Sequence, residues 1–193
     1  MFQERLGSVY DKTMRIVKCA EAVCDAAGIT GTQRDDILRT ALLCKADLIT
    51  SAVVEFTSLQ GIMGGHYARF SGETPEVALG ITDHYRPRFA DDDLPRNLAG
   101  TVTAFSDKLD TICGIFAIGA GPTGSSDPFA LRRAAIGIVN ILLSGLDVSL
   151  SELIDVALGN YRDVVDFDFD AVRDQVRAFF ATRLEVIARD RGY

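Results

Sequence analysis

Apolar residues recur at helical spacing almost from end to end of this chain, and no segment of any length alternates with the period of a β-strand. The first stripe is Val9, Thr13, Ile16, Val17, Ala20, Cys24 and Ala27, stopped by Gly28, which predicts a helix over 9–27. A second helix is expected from about Thr32, with Asp35 and Asp36 in its first turn and the stripe Ile37, Leu38, Ala41, Leu42, Leu48 and Ile49. Gly61, Gly64 and Gly65 interrupt the pattern between 51 and 72, where they suit a bend or close helix packing. Pro75 starts a further helix through Val77, Ala78, Ile81 and Tyr85, and 86–97 reads as a surface loop. The helix expected over 99–118 buries Val102, Phe105, Leu109, Ile112, Cys113 and Phe116. Later stripes are Phe129, Leu131, Ala135, Ile138, Val139 and Leu142, then 150–161, then Val172, Val176, Phe179, Phe180, Leu184 and Ile187 over 169–190. The fold class that follows is all α, with no internal repeat.

The 193 residues suffice for one proper core, and 48% hydrophobic with 24% charged is globular composition. No apolar run reaches bilayer-spanning length and the first residues lack a signal-peptide core, so a soluble, cytoplasmic protein is expected. Cys19, Cys24, Cys44 and Cys113 sit inside apolar helical patterns with only His66 and His84 to complete a metal set, which reads as reduced core thiols. The two histidines, each alone, read as packed or solvent-facing. The net charge of −7 argues against a generic nucleic-acid binder, although local basic patches are compatible with it.

Chemistry concentrates between residues 106 and 133, SDKLDTICGIFAIGAGPTGSSDPFALRR. Its loop formally matches GxGxxG, but a helix precedes it where a dinucleotide fingerprint needs a strand, and Ser125 stands where a Walker loop needs lysine. Asp127 and Pro128 are expected to open a helix bearing Arg132 and Arg133, which either hold a phosphate or pair with Asp110 or with loop acids. Asp107 and Asp110, three apart, suit metal binding or acid–base work. Lys12, Arg15 and Lys18 fall outside the first stripe, as a solvated face or an anion site. Lys45 lies within the second stripe, where a lysine either snorkels outward or finds an acid.

RLGSVYDKTMRI, CKADLITSAVVEFTSLQGIMGGHYA, ITDHYRPRF and SDKLDTICGIFAIGAGPTGSSDPFALRRAA together resemble the β-subunit family of the bacterial heterotetrameric glycyl-tRNA synthetase, over about residues 6–143. The resemblance implies an internal region of such a subunit, divided into an HD-like helical domain over 1–146 and a helical extension over 147–193. In an HD domain a histidine, a His-Asp pair and a later aspartate hold a metal. Here ALLCKADL puts Cys44 and Lys45 in place of the pair, the first helix offers Thr13, Met14 and Arg15, and only Asp107 matches. The implication is a domain with no metal, no cofactor and no catalytic residue of its own, in which Lys45 pairs with Asp107, with Asp110 or Asp47 as second choice. The family further implies tRNA(Gly) and an α subunit in a heterotetramer as partners, with ATP and Mg used by the whole enzyme. The expected role is a non-catalytic module that contacts tRNA, through Lys12, Arg15, Lys18, Lys108, Arg132 and Arg133, or positions neighbouring domains. The alternatives are an HD-type metal-dependent nucleotide phosphohydrolase and a purely architectural helical spacer.

Overall fold

The computed structural model describes residues 4–89 and 91–190. Within them the chain is helical: α1 (Val9–Ala26), α2 (Gly31–Leu43), α3 (Ser51–Glu55), α4 (Ile62–Phe70), α5 (Pro75–Asp83), α6 (Leu98–Ala117), α7 (Leu131–Leu143), α8 (Leu150–Gly159) and α9 (Phe169–Asp190). The described residues contain no β-strand; a lone bridge pairs Thr123 with Ser126 in the glycine-rich loop.

Helix α6 is the axle. It packs against α1, α2, α5, α7, α8 and α9, and it is buried on nearly every face, including the one that carries Asp107 and Asp110. One buried cluster runs from Leu6 through Phe105, Leu109 and Ile138 to Val176 and Ile187, so α8 and α9 share the core of the earlier helices. A smaller cluster of Ala68, Val77, Ala78 and Ile81 joins α4 to α5. Gly65 permits that approach, because a Cβ there would meet the Ala78 carbonyl at 2.7 Å.

Local signals start the helices. Ser8 and Asp11 form a reciprocal capping box at α1, Thr74 caps α5 with Pro75 at its first position, and Asn97 caps α6.

Three expectations are corrected. Helix α2 ends at Leu43, and a 3-10 turn over Ala46–Ile49 replaces its continuation. The turn is anchored by the Asp47 carboxylate, which accepts from the Gly61 and Gly64 amides at 2.7 and 3.0 Å. Ile49 therefore leaves the buried face and stands 89% exposed, and Leu42 is also exposed. Leu184, expected in the core face of α9, is exposed too.

The third correction is the start of α7, which begins at Leu131 and not at 127–128. Asp127 still caps it, accepting from the amides of Leu131 and Arg132 at 2.8 and 2.9 Å. The Asp127 carbonyl accepts from the Ala130 amide, and Ala130 adopts a left-handed conformation with φ 53°. That conformation costs an L-residue roughly 1–2 kcal/mol. It also turns Phe129 out of the apolar stripe, leaving it 38% exposed.

Candidate functional site

Two neighbouring features carry the charge chemistry: a buried ion cluster between α1, α2, α5 and α6, and an open cleft beside it. The cluster follows from matching periodicities. Lys12 and Arg15 are three apart on α1, Asp107 and Asp110 are three apart on α6, and the two helices pack together. The Lys12 ammonium lies 2.8 Å from Asp107 Oδ1 and 3.1 Å from Asp110 Oδ2, and also donates to the Thr111 hydroxyl at 2.8 Å. Arg15 Nε donates to Asp110 Oδ1 at 2.9 Å while its guanidinium lies over the Tyr161 ring. The Tyr161 hydroxyl donates to the same carboxylate at 2.8 Å.

Lys45 approaches from the opposite side. Its ammonium donates to Asp107 Oδ2 at 2.6 Å and to His84 Nε2 at 2.9 Å, and sits 3.9 Å from the centre of the Tyr85 ring. An ammonium has no acceptor, so His84 Nε2 must accept; its proton is then on Nδ1, which donates to the Ile81 carbonyl at 2.6 Å. Burial, reinforced by the Lys45 charge, pushes His84 well below the usual histidine range and keeps it neutral. Burial alone would raise Asp107, but the ammonium groups of Lys12 and Lys45 outweigh it and hold the carboxyl well below the ordinary carboxylate value. Lys45 is held above its usual value because Asp107 overcomes the opposing effect of burial.

The structure thus brings Lys45, Asp107 and Asp110 together, with Lys12 as the bridge. Lys12 and Arg15, expected on a solvated or phosphate-binding face, are 4% and 5% exposed, because their charges are satisfied by the two aspartates. Of the remaining candidates, Lys18 is on the surface, and Arg132 donates from Nη2 to the Gly124 carbonyl at 2.7 Å, not to an acid. Arg133 is exposed, and Lys108 is half-buried, donating to the carbonyls of Tyr85 and Arg86 at 3.3 and 2.9 Å.

Sequence reading missed His84 and Tyr161 as members of the cluster, since nothing in their local pattern marks them. The equal spacing of Lys12/Arg15 and Asp107/Asp110 was a usable signal for the ion pairs. Asp83 was also missed. It is fully buried and accepts from Arg96 Nε at 2.7 Å, fixing the loop after α5.

The residues present do not fit a divalent metal. Both oxygens of Asp107 are taken by ammonium groups, and the Cys44 thiol, pushed up to about 12 by burial, turns to the Ala41 carbonyl. Among the described residues no group of three histidine, cysteine or acidic side chains is placed to hold a metal, and no helix is long and apolar enough to cross a membrane.

The adjacent cleft, about 680 Å³, is lined by Lys108 and Arg133, by Arg86 and Arg88, and by the aromatic residues Tyr85, Phe89 and Phe129. Burial lowers the Lys108 ammonium to about 8, against partial support from Asp107. Its folded pKa is below the unfolded 10.5, so between those values the unfolded chain binds the extra proton. Stability contributed by this residue therefore rises from pH 8 to 10.5. Cysteine ionisation on unfolding pulls the total the other way, because burial raises Cys19 and Cys44 from 9.0. The clean measurement is the difference in unfolding free energy between the parent and Lys108→Met. That difference is expected to climb in the parent's favour across this window and to be flat below pH 7.

The family model of the glycyl-tRNA synthetase beta subunit matches residues 1–193 of the chain. The chain is 49% identical over 195 residues to the glycine–tRNA ligase beta subunit of Desulforamulus reducens, covering 100% of this chain and 28% of that protein. It is 47% identical to the corresponding subunit of a Synechocystis species, over 98% of this chain and 26% of the relative. The Clostridioides difficile subunit is 46% identical over 100% of this chain and 28% of its own length. The chain spans about a quarter of the length of the curated relatives it matches.

Proposed function

Because the chain belongs to the glycyl-tRNA synthetase beta-subunit family, we propose that these residues form a non-catalytic module that contacts tRNA(Gly) and serves the ligation of glycine to it. The observation that carries the non-catalytic part is the filling of the buried site. Lys12 and Lys45 each place an ammonium on one oxygen of Asp107, at 2.8 and 2.6 Å. In an HD-like domain that aspartate would face a metal; here fixed positive charge takes the metal's electrostatic role and repels a cation. With no metal there is no activated water, and His84, bonded through both ring nitrogens, has no free base to offer. Nothing in this arrangement favours a metal-dependent nucleotide phosphohydrolase.

The tRNA-contacting part is supported by Lys18, Lys108, Arg132 and Arg133, cations that carry no carboxylate within ion-pair distance among the described residues. Lys12 and Arg15 drop out of that role because RNA cannot reach them. The ATP and Mg chemistry, and the pairing with an α subunit in a cytoplasmic heterotetramer, would belong to the whole enzyme.

Two measurements on the chain test this reading. Titration with Mn²⁺ is expected to give no binding heat, and nucleotides with Mn²⁺ no released phosphate; metal-dependent phosphate release would refute the silent site. Binding to tRNA(Gly) is expected at low ionic strength and should weaken steeply with added salt. With a net charge of −7 the affinity will be modest. Absence of salt-sensitive binding would leave an architectural spacer instead.

A further inference from the structure

The cleft beside the ion cluster has two unequal sets of cations. Arg88 is committed to Asp92, with Nε 2.8 Å from its carboxylate, and Arg86 to Asp93 and Asp83 at 3.3 and 3.5 Å. Lys108 spends hydrogen bonds only on two backbone carbonyls, and Arg133 is exposed. Neither has a carboxylate within ion-pair distance among the described residues, so both face the cleft with charge to spare.

The rings are as unusual. Phe89 is 54% exposed at the cleft wall. Phe129 would continue the buried stripe of α7, yet the left-handed Ala130 swings it into the cleft lining. Ala130 and Ala134 line the same wall, so the start of α7 presents Arg133 beside Phe129, which lies just ahead of the helix. An exposed aromatic ring next to an arginine with no ion-pair partner among the described residues supplies what a stacking site requires, and the sterically costly backbone beside it points to a role for that ring.

We propose that this cleft binds one unpaired nucleotide of an RNA, with the phosphate on Arg133 and Lys108 and the base stacked on Phe129. The inference rests on the tRNA-contacting reading above and gives it a location and a chemistry. A cleft of about 680 Å³ has room for a nucleotide. A helical RNA stem does not fit the requirement, because its bases are already stacked and offer no face to a side chain. An acidic peptide would use the cations but leave the Phe129 ring without a partner, since Lys45 already lies against the Tyr85 ring and Arg88 over the Phe89 ring. The stacking contact reads no base edge, so it carries little sequence preference.

Fluorescence anisotropy over a series of salt concentrations tests this with the chain, a tRNA(Gly) transcript, a blunt RNA duplex, and the variants Phe129→Leu and Arg133→Gln. Both side chains are on the surface, so unchanged far-ultraviolet circular dichroism is expected and confirms folding. Phe129→Leu should weaken tRNA binding about tenfold with the salt dependence intact, as loss of one stacked base does. Arg133→Gln should weaken it and reduce the slope of log affinity against log salt by about one. Salt-sensitive binding by the parent that neither variant changes would overturn the nucleotide cleft while leaving tRNA contact standing. No salt-sensitive binding by the parent would overturn both. An equal loss on the blunt duplex for Phe129→Leu would also overturn the proposal, since that probe presents no unpaired base.

Discussion

Asp110→Ala is expected to lower the unfolding free energy by about 3–5 kcal/mol, the usual cost of removing one partner from a buried ion pair. The carboxylate is 1% exposed and holds Lys12, Arg15 and Tyr161 at once. Its loss leaves Arg15 without its carboxylate in the core, where a second guanidinium nitrogen, Nη2, already has no partner. Lys12 would keep Asp107, which then serves two ammonium groups alone. Urea denaturation followed by circular dichroism measures the change. A loss under about 1 kcal/mol, typical of exposed pairs, would show that water reaches the cluster. Asp110→Asn should fall between, because the amide still accepts one hydrogen bond but carries no charge.

Gly114→Ala is the second large expected loss. An added Cβ would stand 2.6 Å from Tyr161 Cζ and nearer still to the hydroxyl, with Leu6 Cδ1 at 3.0 Å. Both neighbours are fully buried, so neither can swing into solvent. Overpacking of this kind costs about 1–3 kcal/mol, and displacing the Tyr161 hydroxyl from Asp110 adds about 1 kcal/mol or more. Tyr161→Phe alone should cost only the hydrogen bond. In the double variant the two losses should sum to more than is measured, because removing the hydroxyl relieves part of the clash. Strict additivity would mean that α8 shifts as a body away from α6.

The expected loss at Gly114 shows where sequence reading reaches its limit. Periodicity marks Gly114 as part of a helix but does not say that Tyr161, some fifty residues later, lies against it. The same holds for Lys45. Its place in an apolar stripe, with the expected alignment of Asp107 to an HD-type aspartate, points to a pairing, and the matched spacing of Lys12/Arg15 and Asp107/Asp110 is a second signal, whereas His84 carries no such mark. Lying outside the apolar stripe, Lys12 and Arg15 read in the sequence as part of a solvated face or an anion site. That inference fails when the opposing helix offers aspartates at the same spacing, since a paired and hydrogen-bonded charge can be buried.

By itself, the sequence determined the helical class, the ends of most helices and the family. Each of these is written in local terms: a 3.6-residue period, capping residues at Ser8, Thr74 and Asn97, glycines at the stops, and strings such as PTGSSDPFALRR. Only the tertiary structure decided which charges are buried and which face solvent. It set Lys12, Arg15 and Lys45 around Asp107 and Asp110 inside the core, and it left Arg133 and Phe129 at the wall of a cleft. The physical reason is that a side chain's free energy depends on what covers it. Periodicity tells which residues share a helix face; the packing of α1, α5 and α8 against α6 decides what that face meets.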